Sequence, residues 1–557
     1  MTHRISSGLA AGLLTLLFAC GPAPDVDTLI LRGTVYDGSG HEPYVADLAI
    51  AGDTIFAIGT LDTLSARRVI DAIGLAVAPG FINMLSWANV SLIHDGLSQS
   101  DIRQGVTLEV LGEGWSMGPL NEAMRRNRIS NQQDIKYPVE WTTLGEYLQW
   151  LEERGVSTNI ASFVGATTVR IHEVGHENRA ATDAEMKRMK QLVATAMEEG
   201  AMGLSSSLEY APADYASTSE LIELAKVAAR YDGLYISHMR HEGDHIDAAL
   251  DELFSIINAA GIRGEIYHFK MSHRENWERM DAVIARIEAA RSGGMPVTAD
   301  MYAYHASSTG LDINFPTWVQ EGGVSAWLER LRTQEIRARM QAEMTLIPPE
   351  DIMLVSFSSD ELRRYIGLTV ADVMAERGTG IHDTIIDLIL ENGGNVGTIR
   401  FTMSEENIRK KMVLPWVSFG SDAGSRSNTG LALQTHHHPR GYGNFARVLG
   451  KYVREEQLLT LADAVRRLTA LPAENLKLRR RGQLKRGHFA DVIVFDAATI
   501  SDHATFEEPH RYATGVHHVW VNGQAVISGG EHTGATPGRF VRGPGYTMTR
   551  EKVDAAS

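Results

Sequence analysis

Two histidines and an aspartate close apolar runs in a pattern able to support hydrolytic metal chemistry. His238 ends the run in Tyr235-Ile-Ser-His238-Met-Arg240, His268 closes Glu265-Ile-Tyr-His268, and Asp422 follows Trp416-Val-Ser-Phe-Gly-Ser421. Each has a plainer reading alone, because histidines serve as buried hydrogen-bond partners and an acid after a strand can cap the next helix. Imidazoles at the ends of two adjacent parallel strands, however, project to the same rim and can share a divalent ion.

The elements that must position them alternate along the chain. Apolar runs at Leu75–Leu85, Val106–Leu111, Asn159–Val164, Met202–Ser207, Leu234–His238, Glu265–Met271, Val297–Tyr302 and Val417–Ser421 read as strands. Amphipathic segments such as Asp183–Glu199 and Ser219–Tyr231 separate most of them. Eight strands alternating with helices predict a (β/α)8 TIM-type barrel at 75–479, whose chemistry belongs at the C-terminal strand ends. The long gap before the eighth strand, about 314–411, predicts a helical, charged insertion acting as a lid or subdomain. Alternating apolar and polar residues with turn signals at Asp37-Gly38, Gly52-Asp53 and Asn522-Gly523 predict hairpins at both chain ends. The two segments, 27–74 and 480–550, are expected to form one small β domain.

The chain has 557 residues, 44% hydrophobic and 22% charged, with a formal net charge of −16. That balance excludes a nucleic-acid partner, which needs a basic face. At the N-terminus a charged start and the apolar run Leu9 to Ala19 end at Cys20, the one cysteine of the chain. Leu17-Phe-Ala-Cys20-Gly resembles a bacterial lipobox. It predicts a signal peptide at 1–19, a lipidated Cys20, a linker at 20–26, and an exported lipoprotein held at a membrane surface.

The order of several strings resembles the amidohydrolase superfamily, and within it the N-acyl-D-amino-acid deacylase branch. They include Pro79-Gly-Phe-Ile-Asn83, Asp101-Ile-Arg-Gln-Gly-Val-Thr107, Gly203-Leu-Ser-Ser-Ser-Leu-Glu-Tyr-Ala-Pro212, Ser237-His-Met-Arg240, Ser308-Thr-Gly-Leu311, Gly420-Ser-Asp422 and His438-Pro-Arg440. The resemblance covers nearly the whole chain after the signal segment. It implies metal-dependent amide hydrolysis, with His238 and His268 as ligands and Asp422 as the carboxylate that takes a proton from water and returns it to the leaving amine. The family's third ligand, a cysteine after strand two, is absent from Leu111-Gly-Glu-Gly-Trp115, which leaves Glu113 as the expected donor and Glu109 as the other carboxylate in reach. The family's His-x-His after strand one is replaced by Leu85 and Trp87, so one Zn²⁺ per chain is the expectation.

Positions that grip a substrate carboxylate in the family correspond to Lys270, Tyr302, Ser308 and Arg440, a set able to bind an anion by charge-assisted hydrogen bonds. The expected substrate is therefore a small molecule with a free carboxylate, an N-acyl-D-amino acid or a D-configured peptide. A dipeptidase or another N-acyl amide hydrolase is the alternative of the same chemistry. A non-catalytic carboxylate-binding lipoprotein is the alternative without it. The run His436-His-His438 is expected to be a solvated loop or a support for the site.

Overall fold

A computed structural model of the chain describes residues 25–546. The signal segment and Cys20, and with them the predicted lipidation, lie outside the described residues. Eight parallel strands form the barrel: Phe81–Asn83, Val106–Leu111, Asn159–Ser162 continued by Val164–Gly165, Gly203–Ser207, Leu234–His238, Arg263–Ile266, Val297–Met301 and Val417–Phe419. The ladder closes where Met84 N–H donates to Phe419 O (3.1 Å) and Asp422 N–H donates to Leu85 O (2.9 Å). The strands are buried along almost their whole length, as expected when helices cover the outside and side chains fill the inside.

Local sequence explains the connecting helices. Asp183–Glu199 starts at a capping box, in which the Thr182 hydroxyl accepts from Glu185 N–H and the Glu185 carboxylate accepts from Thr182 N–H. It stops at Gly200, whose φ of 118° closes the last turn. Its buried Met189, Val193, Ala196 and Met197 form the stripe facing the barrel.

Two expected strands differ most. The segment predicted as Leu75–Leu85 divides at Gly80: Ala76–Pro79 joins the terminal sheet and Phe81–Asn83 starts the barrel. A Cβ at Gly80 would lie 2.0 Å from Thr107 Oγ1, so only glycine passes there. The sixth strand ends at Ile266 rather than Met271, and His268 turns out of it with a φ of 34°. That sparsely populated backbone conformation recurs at Asp422, with a φ of 49°.

Segments from both chain ends share one nine-stranded sheet, in which Ala76–Pro79 lies between Val26–Val35 and Val492–Phe495. Between strands seven and eight, the helices Val324–Leu331, Gln334–Glu343, Val370–Arg377 and Ile381–Asn392 enclose an apolar cluster that includes Leu311, Trp327, Leu354 and Ile389. The insertion also holds a three-stranded antiparallel sheet, ordered Ser307–Gly310, Gly397–Arg400, Ile352–Ser356. Two of its strands, Ser307–Gly310 and Gly397–Arg400, are short and polar and show too little apolar alternation to be read from the sequence.

Candidate metal centre and active site

A cavity of about 1030 Å³ opens at the C-terminal ends of the barrel strands and reaches under the inserted sheet. Glu113 follows strand two, His238 is the last residue of strand five, and His268 lies two residues beyond strand six. Glu113 Oε1 stands 3.0 Å from His238 Nδ1 and 2.9 Å from His268 Nε2. Three donors from three strand ends thus converge within 4.8 Å of one another, all buried. Bonds of 2.0–2.2 Å to a tetrahedral ion put such donors about 3.4 Å apart, so a small opening of this cluster accommodates Zn²⁺. Glu109, by contrast, accepts from the Ser86, Ser98 and Thr158 hydroxyls and meets neither imidazole.

The electrostatics also favour a cation. Burial disfavours imidazolium at His238, yet Glu242, Glu113 and Glu209 outweigh it and push its pKa up to about 10. Burial alone would raise the Glu113 carboxyl, but His268 and His238 hold it well below the carboxylate range. The same negative field would be neutralised by a divalent ion.

The expectation of one Zn²⁺ per chain is corrected by a second donor group. Glu209, after strand four, places Oε2 3.0 Å from His238 Nε2, and Glu242 Oε2 is 3.8 Å from the same nitrogen. Glu209, His238 and Glu242 form a cluster that overlaps the first at His238, so the donors suit two ions. The count of one follows from Leu85 and Trp87 standing where His-x-His is expected. The second group arises elsewhere, on the opposite edge of the His238 ring. Both its carboxylates lie on loops, where no residue pattern marks their meeting; Glu242, four residues after His238, is the one legible hint.

Asp422 follows strand eight and faces the first group. Its Oδ1 accepts from Trp87 Nε1 at 3.1 Å, and its Oδ2 lies 2.9 Å from Arg440 Nη1. Burial raises the Asp422 carboxyl above its ordinary value; Arg440 opposes this and Glu113 adds to it. A carboxyl raised in this way is suited to taking and returning a proton. It does not serve as the cap of a regular helix, the next one beginning only at Gly430–Gln434.

Of the expected carboxylate-binding residues, Lys270, Ser308 and Arg440 line the cavity. Lys270 Nζ binds both Glu242 oxygens at 2.8 Å and His268 Nδ1 at 2.6 Å, which fixes the His268 ring with Nε2 toward Glu113. Ser308 Oγ donates to Thr398 O. Arg440 is 3% exposed, and its Nε and Nη1 lack aligned hydrogen-bond partners. Tyr302 lies behind the wall: its hydroxyl donates to Met403 Sδ and its ring supports Arg440, 4.4 Å from Cζ. His438 is buried rather than solvated, accepting Arg440 N–H on Nδ1 and contacting Ala306 O through Nε2.

Comparison with known proteins agrees with this architecture. The profile of the amidohydrolase family matches residues 395–527. A D-aminoacylase of Alcaligenes xylosoxydans xylosoxydans is 34% identical over 516 residues, 92% of this chain and 97% of that protein. A solved D-aminoacylase, described for its binuclear metal centre with one-metal activation and second-metal attenuation, superposes with a TM-score of 0.79 at 32% identity, covering 93% of this chain and all (100%) of the other. The N-acyl-D-glutamate deacylase of Bordetella bronchiseptica, solved with zinc and a phosphonate mimic of the tetrahedral intermediate, gives 0.78 at 31% identity, covering 93% and 99%. Similarity of this extent, on a barrel whose strand ends gather ligands for metal, shows that the chain belongs to the amidohydrolase family, in its D-aminoacylase branch, and is a metal-dependent hydrolase of amide bonds.

Proposed function

We propose that the protein hydrolyses N-acyl-D-amino acids or D-configured peptides bearing a free carboxylate. The convergence of Glu113, His238 and His268 opposite Asp422 in one cavity carries this reading. The D configuration rests on the relatives, a D-aminoacylase and an N-acyl-D-glutamate deacylase.

In this reading Glu113, His238 and His268 hold one ion, and Glu209 and Glu242 hold a second together with His238. A bound Zn²⁺ supplies Lewis acidity toward the amide carbonyl and lowers the pKa of a water. Asp422 accepts the proton of the attacking water at a carboxylate oxygen and delivers it to the leaving nitrogen. Trp87 N–H holds Oδ1 of Asp422, and the Arg440 charge keeps the carboxylate accessible in its ionised form. Arg440, Lys270 and Ser308 orient the substrate carboxylate, with Tyr302 supporting Arg440 from behind.

The test is a panel of N-acyl-D- and N-acyl-L-amino acids assayed with metal-replete protein. Turnover of D-compounds, lost with chelator and restored by Zn²⁺, is expected. Turnover of L-compounds alone would replace the stereochemical assignment.

We further propose that Cys20 is the lipidated first residue of the processed protein, which the lone cysteine closing a short apolar run supports. No helix among the described residues is long and apolar enough to cross a membrane. Mass spectrometry of the membrane fraction should find an acylated N-terminal Cys20; an unmodified N-terminus elsewhere would remove the anchor.

A further inference from the structure

The guanidinium groups on the cavity differ in what they hold. Arg240 is bound by Glu252 and Asp214, Arg440 stands beside Asp422, and Arg426 meets the His437 ring. Arg400 is different. It ends the central strand of the inserted sheet, lines the cavity, and is 5% exposed. Nη2 donates to Asn314 Oδ1 at 3.2 Å, Nη1 has no hydrogen-bond partner, and among the described residues no carboxylate forms an ion pair with it. Burial lowers its pKa only to about 10, so it stays cationic at neutral pH.

Its place relative to the chemistry is fixed by the sheet. Arg400 pairs across the ladder with Ser307, next to Ser308. On that same strand Thr309 Oγ1 meets the Tyr210 hydroxyl at 2.9 Å, and the Tyr210 ring packs edge-on against His238, centroids 5.1 Å apart. Arg400 therefore stands on the wall that the insertion supplies, beside the metal ligands. Lys270 and Arg440 come instead from segments after strands six and eight. The cavity thus has a second cationic pole, separate in origin from the one assigned to the substrate carboxylate.

A buried guanidinium with an unused donor is costly in isolation and favours a ligand that completes it; a carboxylate does so with two parallel hydrogen bonds. Glu209, the acid whose charge acts on Arg400, is committed to His238 Nε2. We propose that Arg400 is a specificity-determining residue that binds a second carboxylate of the substrate, so that the preferred substrates are dianionic N-acyl-amino acids, the second anion lying on the side chain or on the acyl group. This rests on the reading of the protein as an N-acyl-amino-acid hydrolase.

Two pairs of compounds test it and separate the sources: N-acetyl-D-glutamate against N-acetyl-D-glutamine, and N-succinyl-D-leucine against N-butyryl-D-leucine. The parent protein is expected to prefer the charged member of one pair by roughly 10- to 100-fold in kcat/KM. Arg400→Met should abolish that preference while leaving the neutral member within about threefold, and Arg400→Lys should restore part of it. Equal rates within both pairs in the parent, or a preference that persists in Arg400→Met, overturns the proposal. Thermal denaturation reports whether Arg400→Met folds; if it does not, the parent ratios and Arg400→Lys decide. If no N-acyl-amino acid is turned over, the functional reading fails. Thermal-shift titration with the same pairs then decides on Arg400 alone: greater stabilisation by a charged member, lost in Arg400→Met and kept in part in Arg400→Lys, supports it, and equal stabilisation overturns it.

Discussion

The indole Nε1 of Trp87 donates to Glu113 Oε2 at 2.8 Å. An indole N–H is a donor only and cannot ligate a metal, so Trp87 does not replace the histidine expected after strand one. It orients Glu113 instead, leaving Oε1 to the two imidazoles. The same N–H lies 3.1 Å from Asp422 Oδ1, so one proton links the ligand carboxylate to the proposed base.

Trp87→Phe keeps most of the ring and removes that donor. Partners that orient a ligand typically contribute 10- to 100-fold in metal affinity, and a loss of about that size is expected for the Glu113 site. Equilibrium dialysis against graded Zn²⁺ measures it; an unchanged affinity would show that Trp87 only fills space.

Two donor groups sharing His238 make the metal content predictable by residue. The purified, Zn²⁺-equilibrated protein is expected to carry two ions per chain. Glu209→Gln should lose one ion and keep the other, because Glu209 belongs to one group only. His238→Ala should lose both. Mass-spectrometric metal analysis after gel filtration reads the counts, and a single ion in the parent protein would return the site to one centre.

Asp422→Asn preserves shape but cannot accept the proton. Turnover is expected to slow by roughly a hundredfold to ten-thousandfold, the range for losing a general acid–base, with metal content unchanged. Loss of metal along with rate would make Asp422 a ligand, and an unchanged rate would make it a structural residue.

Much of this is legible in the sequence, for reasons that also mark where legibility ends. The strands ending near His238 and Asp422 are apolar runs buried on both faces, so composition alone identifies them. His268 reads from the sequence as a rim residue, and it is one. The apolar run overstates the length of its strand, because Phe269 and Met271 are buried by the turn and not by the ladder. Nothing local announces that Glu209 and Glu242 meet on one ring, or that the Arg400 strand lies beside Ser308. Those are long-range pairings fixed only when the barrel closes and the inserted sheet folds over it. Tyr302 shows the converse: a phenol directly after the right strand, turned to support a guanidinium and not to meet the cavity.

The carboxylate grip should be separable from the chemistry at Arg440, whose Nε and Nη1 have no aligned partner. Arg440→Ala should lower kcat/KM by roughly ten- to a hundredfold for substrates with a free α-carboxylate, the effect of one lost charge-assisted contact. For the corresponding primary amides the loss should be smaller, limited to what the Arg440 charge contributes to ionising Asp422. Equal losses on both would mean that Arg440 acts only through Asp422, 2.9 Å away, and not on the substrate.

Glu265 gives a pH dependence away from the metal ligands. Buried in strand six, it accepts from Thr298 Oγ1 at 2.8 Å and from Asn475 Nδ2 at 3.0 Å. Burial pushes its pKa up to about 7 despite those hydrogen bonds. The unfolded chain releases this proton near the ordinary value of 4.5, whereas the folded chain keeps it to about 7. Between those values the folded state binds the extra proton, so stability falls as pH rises through the window, by up to about 3 kcal/mol for this group, and stays at the lower level above it. Glu265→Gln removes the titration. Calorimetric Tm values should therefore differ little between the two proteins at pH 4.5, and the variant should be the more stable at pH 8. A gap that is the same at both pH values would mean that Glu265 is already ionised inside the barrel and that the hydrogen bonds from Thr298 and Asn475 outweigh its burial.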